Sequence, residues 1–275
     1  MYVVSCRRGF DSDQFTGAEN RYRNYTNPTD AAAFTDLTMT EIVAKAKNKH
    51  VCILVHGFHN QMVNVMGAYW EIVQRMSDTG VVGDAGYGLV IGFTWPGMAT
   101  RLGYFTAMAT AKKSGPFLLD LVNALRGEAH SVDVQTHSLG ARVALTALKN
   151  PKKVFVDNLI LSAPAVDNHL FEPDQDFFPA LESCNRCLVY HSKQDSVLGK
   201  FYRLADIADG FHKALGQGGP RSKTITLAKS PNLYVVDCTT RVKKDHSGYR
   251  KANEYFKHWG RVLTGGALTR YDELS

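Results

Sequence analysis

The stretch VDVQTHSLGARVAL, Val132 to Leu145, runs as apolar, β-rich sequence up to His137-Ser138 and then turns at once into a helical pattern. A serine at such a strand-to-helix corner is pushed clear of the sheet with its Oγ displayed. The helix N-terminus beneath it favours developing negative charge, so the chemistry offered is nucleophilic attack on an acyl carbon. The turn needs small residues two before and two after the serine. Gly140 meets that need, whereas Thr136 departs from the usual glycine. A serine at a helix start is also a common N-cap, so the pentapeptide alone leaves both readings open. A second stretch, ILVHGFHN, ends a buried strand on His56-Gly57-Phe58. Glycine there lets the loop backbone approach the serine closely. The N–H groups of Phe58 and Leu139 then become candidate oxyanion donors, one of which is typically worth about 10²–10³ in rate. The alternative for Gly57 taken alone is a simple turn glycine.

These residues need elements to hold them. Strand-like runs occur at 2–6, 50–57, 88–96, 131–138, 156–166, 186–195 and 232–239. Several are continuous Val/Ile/Leu runs, the pattern of strands covered on both faces of a parallel sheet. Helical patterns fall between them, at about 38–49, 62–77, 98–126, 139–149, 200–215 and 248–263. That alternation predicts βαβ units with right-handed crossovers and helices on both faces. No internal repeat or linker interrupts residues 1–275, so a single α/β domain is expected, with GQGGP at 216–220 as a mobile loop. Ligands of open parallel sheets bind beyond the carboxyl ends of the strands. His56, Thr94, Ser138, Asp167, Asp195 and His246 stand at such ends or shortly after them.

Composition narrows the function classes. The chain has 275 residues, 44% of them hydrophobic, which is enough to build a core without staples. No apolar run reaches about 18 residues, so no transmembrane segment is predicted. MYVVSCRRGF has no basic region ahead of a long apolar core, so no signal peptide is read and a cytoplasmic location is expected. The five cysteines are scattered. Cys184 and Cys187 form a lone C-x-x-C without a second ligand pair, so reduced structural thiols are expected and no metal site. The net charge of +6 is spread out, except for a cluster of Arg241, Lys243, Lys244, Arg250 and Lys251. That cluster reads as a solvated face, with anion attraction as the alternative. No motif supports nucleic-acid binding.

The ordered set HGF, GFTWPG, THSLGAR, SAPAVD, HSKQDSVLG and DHSGYR resembles the α/β-hydrolase superfamily. More narrowly it resembles a branch of uncharacterised bacterial serine hydrolases, over roughly residues 1–262. The resemblance implies a mostly parallel sheet of about eight strands and a triad in the order Ser, acid, His. It places the acid at Asp195, after the second strand beyond the nucleophile strand, with Asp167 one strand earlier as runner-up. The acid would accept the histidine's Nδ1–H and fix its tautomer. Of ten histidines, only His246 follows the last strand in a polar loop ahead of a final helix, and it is read as the base. His258 lies mid-helix, His191 reads as a satisfied strand histidine, and His137 should point away from the nucleophile.

In that superfamily large caps commonly enter after the sixth strand. Here DNHLFEPDQDFFPALESC, 167–184, leaves room for a small cap or none. Phe171, Phe177 and Phe178 are candidate pocket residues or ordinary core. Trp95 and Tyr104 are candidates from the segment after the third strand, and His137 is kept as a substrate-binding candidate. The expectation is a carboxylesterase-like serine hydrolase acting on a small-molecule ester, with no cofactor. Thioesterase, lipase, amidase and polyester hydrolase share the same triad. The competing class is a non-catalytic binding protein on the same fold.

Overall fold

The computed structural model describes residues 1–15, 19–27, 30, 32–58, 61–97, 103–150, 156–200 and 213–274. Ten strands form one sheet: β1 (Tyr2–Ser5), β2 (Arg21–Tyr25), β3 (Phe34–Leu37), β4 (His50–Val55), β5 (Leu89–Thr94), β6 (Ser131–His137), β7 (Val156–Ser162), β8 (Cys184–His191), β9 (Leu233–Asp237) and β10 (Tyr271–Glu273). Their order across the sheet is β10-β9-β8-β7-β6-β4-β5-β1-β2-β3. From β1 to β10 along that order every pairing is parallel, while β2 and β3 add an antiparallel edge. The eight expected strands therefore become ten. The sequence pattern missed β2, β3 and β10, whose RYRNY, FTDL and YDE are polar and half-exposed at the sheet margins. Edge strands lack the two-sided burial that makes a strand apolar throughout.

The central strands have that burial. Every residue of β5 is buried, as are the last five of β4. Helices cover the sheet: α1 (Met39–Ala46), α2 (Met62–Asp78), α3 (Tyr104–Arg126), α4 (Gly140–Leu148), the short α5 (Leu215–Gly218), α6 (Lys223–Lys229) and α7 (Thr239–Val242), and α8 (Asn253–Leu263). The Thr38 hydroxyl accepts the Glu41 N–H, and the Glu41 carboxylate accepts the Thr38 N–H, closing a capping box at the start of α1. Helix α8 buries Tyr255, Phe256, Trp259 and Val262 on one stripe. The expected helix at 200–215 falls largely outside the described residues, as does the start of the one at 98–126. GQGGP is not a loose loop. Its Gly216 packs on the Ala163-Pro164 backbone so closely that a Cβ would lie 2.3 Å from the Ala163 carbonyl carbon.

Register fixes which helices face the site. Gly92 pairs with Leu54, and Leu54 pairs with Gln135, so the three share one face. Tyr69 of α2 lies over Gly92, and Tyr255 of α8 reaches Gln135. Helices α2 and α8 therefore sit side by side over the strands that lead to Ser138. A Cβ at Gly92 would stand 2.5 Å from the Tyr69 ring. That ring cannot simply swing away, because its hydroxyl donates to Phe93 O at 2.6 Å and accepts the His56 N–H at 3.1 Å. Gly92→Ala should therefore cost about 1–3 kcal/mol of overpacking. Urea unfolding reads this as a lower midpoint, and an unchanged midpoint would mean that Tyr69 is not held as described.

Candidate active site

Ser138 sits at the corner between β6 and α4 with a left-handed backbone, φ 54°. Such a conformation costs a non-glycine residue of order 1–3 kcal/mol, so the surroundings must impose it. Three hydrogen bonds do: the Ser138 N–H donates to Ser162 O at 3.0 Å, and its carbonyl accepts Ala141 N–H at 3.1 Å and Ala165 N–H at 3.0 Å. At about 0.5–1.5 kcal/mol each, these bonds offset the strain. Both neighbouring glycines are required. A Cβ on Gly140 would lie 2.5 Å from His56 O, and one on Gly57 would lie 2.8 Å from Ser138 Cβ. Thr136 fits where a glycine is usual because it is fully buried and its hydroxyl donates to Ile160 O at 3.4 Å.

The loop after β4 is locked by His56. Its Nδ1–H donates to Gly57 O at 2.8 Å, and its Nε2 accepts the Trp95 N–H at 3.2 Å. The Trp95 indole N–H closes the set on His56 O at 2.8 Å, and the two rings stack at 5.5 Å. Both ring nitrogens are thus committed in the neutral state. Burial, with Arg7 nearby, lowers the His56 pKa to about 3. Phe58 follows on this loop, with its ring edge-on to Tyr104 at 5.5 Å. Leu139 stands at the N-terminus of α4, where backbone N–H groups lack intrahelical acceptors.

Asp195 and His246 come together across 51 residues of sequence. His246 Nδ1 lies 2.7 Å from Asp195 Oδ2. A carboxylate can only accept, so Nδ1 carries the proton and Nε2 is left as the basic nitrogen. The other carboxylate oxygen accepts the N–H groups of Val197 at 3.0 Å and Leu198 at 2.9 Å, which fixes the acid in place. Asp167, the runner-up acid, is engaged elsewhere, 3.6 Å from Arg142. The His137 Nε2 donates to the backbone carbonyl of His246 at 2.9 Å. It ties the histidine loop to the elbow. Burial and the neighbouring His246 lower the His137 pKa to about 3, so it holds this bond as a neutral ring.

Ser138, His246, Gly57, Phe58 and His137 all line one cavity of about 700 Å³. No hydrogen bond joins Ser138 to His246. Tyr104 also lines the cavity. The other aromatic candidates do not. Trp95 and Phe171 are fully buried, as is Phe177, and Phe178 packs on the core. Segment 167–184 instead forms two 3₁₀ turns, Asn168–Phe171 and Phe178–Ser183. His191 is buried and bonded to the Gln217 backbone, while its Nδ1 lacks a hydrogen-bond partner among the described residues. His258 is buried and bonded to the Tyr190 hydroxyl at 2.8 Å. The basic cluster is largely neutralised: Arg250 pairs with Glu71 at 2.8 Å, Lys251 with Asp245 at 2.9 Å and Arg241 with Glu254 at 3.7 Å. The sequence reading missed Gln135, Ser162, Tyr249 and Tyr255, which also line the cavity. One signal was available: Asp133, Gln135 and His137 alternate with Val132, Val134 and Thr136 along the strand.

A largely parallel sheet that sends a strained serine out at a strand-to-helix corner defines the alpha/beta hydrolase class. Over residues 31–246 the chain matches the family described as alpha/beta hydrolase of unknown function, DUF900, and it belongs to that family. A search of the curated proteins found no match. Among the described residues no helix is long and apolar enough to cross a membrane.

The two locked histidines generate a pH signature. Each has a folded pKa of about 3, below the ordinary 6.5. The unfolded chain therefore binds more protons between those values, and stability is present above pH 6.5 and lost as pH falls. The slope should reach about 1.4 kcal/mol per pH unit for each ring. Urea unfolding between pH 4.5 and 7.5 measures it. The buried Asp133 carboxyl, raised to about 6, acts in the opposite sense below pH 6, so the rings are read from the difference between wild type and His137→Gln, and no difference would mean that this imidazole charges freely in the folded state.

Proposed function

We propose that this chain is a serine hydrolase that cleaves carboxylic esters through an acyl-enzyme on Ser138, with His246 as general base and acid and Asp195 orienting it. The observation that carries this reading is the 2.7 Å bond between Asp195 and His246 Nδ1, made at the rim of the cavity that Ser138 also lines. His246 Nε2 takes the proton as Ser138 Oγ bonds to the ester carbon. The carbonyl oxygen becomes an oxyanion, received by the N–H groups of Phe58 and Leu139. The carbon–oxygen bond to the alcohol then breaks, and His246 returns the proton to the leaving alcohol. Water repeats the sequence on the acyl-enzyme, releasing the acid and restoring Ser138. Asp195 stays ionised throughout and stabilises the imidazolium.

The class of the protein supports hydrolysis, and the buried cavity supports an ester with a sizeable organic acyl group. No step in this reading draws on a metal or cofactor. Hydrolysis of p-nitrophenyl esters of graded acyl length tests it. Ser138→Ala should reduce kcat/KM by about 10⁶-fold, as loss of a triad serine does. Asp195→Asn keeps the shape but favours the wrong tautomer and should cost about 10⁴-fold. A fluorophosphonate probe should label wild type at Ser138 alone. Residual activity in Ser138→Ala equal to wild type would assign the turnover to another group. Failure of wild type to label or turn over would favour a binding protein on this fold.

A further inference from the structure

The cavity below Ser138 has two kinds of wall. Its sides are apolar: Val65, Tyr69 and Ile72 of α2 face Tyr255, Phe256 and Trp259 of α8. Its floor is not. Gln135 of β6 and Ser162 of β7 open onto it, with Tyr249 from the turn that follows the His246 loop. All of these polar side chains are at least nine-tenths buried: Ser162 is 1% exposed, Tyr249 and Tyr255 2%, Gln135 5%. Buried polar groups cost free energy unless their hydrogen bonds are made, so what they bond to is informative.

The bonds within the floor can be counted. The Ser162 and Tyr255 hydroxyls share one hydrogen bond, 2.8 Å long. The Gln135 amide donates to Thr136 O at 3.0 Å and, at 3.4 Å, toward both hydroxyls. One hydroxyl hydrogen of the Ser162–Tyr255 pair is left over. The Tyr249 hydroxyl, its ring 5.9 Å from that of Tyr255, has no partner among the described residues. Two hydroxyl hydrogens on the floor are thus without an acceptor among the described residues. Water can occupy such a place, and a ligand oxygen gains by replacing it if it accepts the same bonds.

We propose that the cavity is the acyl pocket and that it selects an acyl chain bearing a hydrogen-bond-accepting oxygen, an ether, keto or hydroxyl function, in place of a plain alkyl chain. The oxygen is received by the Tyr249 hydroxyl and the Ser162–Tyr255 pair, while the carbon skeleton on either side packs between α2 and α8. This rests on the serine-hydrolase reading and adds the substrate class to it. A site built to hydrogen-bond a substrate oxygen rejects the analogue lacking it, because its own donors are then left unpaired. An apolar pocket of the same size would do the reverse, since the oxygen would lose its water without compensation.

The test uses p-nitrophenyl esters of one chain length in which each methylene in turn is replaced by an ether oxygen. At one position the oxygen-bearing ester should exceed the all-carbon ester in kcat/KM by about tenfold, one good buried hydrogen bond. In Tyr249→Phe that ratio should fall to near one, with the unfolding midpoint held. Gln135→Leu provides a second variant, expected to shrink the same ratio. Two outcomes overturn the proposal: the all-carbon ester preferred over every oxygen position, or a ratio unmoved by either variant. Labelling of Ser138 by a fluorophosphonate in the same preparations separates the two levels. Labelling with no oxygen preference sinks the pocket proposal alone. Absence of labelling and turnover sinks the hydrolase reading beneath it.

Discussion

Two pieces of backbone share one small volume at the heart of this molecule. The corner after β6 and the loop after β4 approach so closely that Gly57 has no room for a Cβ against Ser138, and Gly140 has none against His56. That contact explains why Ser138 takes a left-handed backbone and why the strain persists. The corner is pressed from one side by the His56 loop and tied on the other to Ser162 and Ala165. A residue held in this way cannot relax into an ordinary helix cap. The strain is a cost of order 1–3 kcal/mol, small beside the burial of β4, β5 and β6 that fixes both pieces, where each buried Val, Leu or Ile contributes about 1.5–3 kcal/mol.

Charge follows from the same crowding. His56 and His137 lie on either side of the contact, and the ring bonds of both go to backbone groups, with no carboxylate bonded to support a cation. Both are neutral rings with structural roles. His56 clasps Gly57 and Trp95, and His137 holds the His246 carbonyl. His246 differs because its Nδ1 has a carboxylate partner and its side chain keeps 12% of its exposure. Of the three histidines around Ser138, only this one combines a partner for positive charge with an open face. The division of labour lies in the surroundings, since the three side chains are chemically identical.

Much of this was legible in the sequence because it is local. The buried strands are continuous apolar runs, the corner is a strand that stops on His137-Ser138, and the glycines fall where backbones must touch. Asp195 and His246 could be nominated by position along the chain, each after a strand end. The cavity wall was not legible, for a physical reason. Tyr255, Phe256 and Trp259 make an ordinary amphipathic stripe on α8, and nothing in that stripe tells how far α8 stands from α2. Trp95 and Phe171 failed in the opposite sense: both are large aromatics near the site in sequence, and both are spent on packing. The margins β2, β3 and β10 escaped because half-exposed edge strands carry no periodic signal.

The polar stripe of β6 links these observations. Asp133, Gln135 and His137 alternate along one face of a central strand, where three apolar residues would pack more cheaply. At one end Asp133 is buried among donors, accepting the Tyr87 hydroxyl and the backbone and side-chain N–H groups of Asn158. Trp259 donates to Tyr87 at 2.9 Å, so this network fixes the rotation of α8 over the sheet. At the other end His137 holds the catalytic-candidate loop of His246. Gln135 stands between them with its network incomplete. Gln135 spends its amide hydrogens on Thr136 O and on the Ser162 and Tyr255 hydroxyls, and the hydrogens left unmatched belong to that hydroxyl pair and to Tyr249. On the proposed reading an oxygen of the acyl chain accepts these hydrogens, between the helix that Asp133 orients and Ser138.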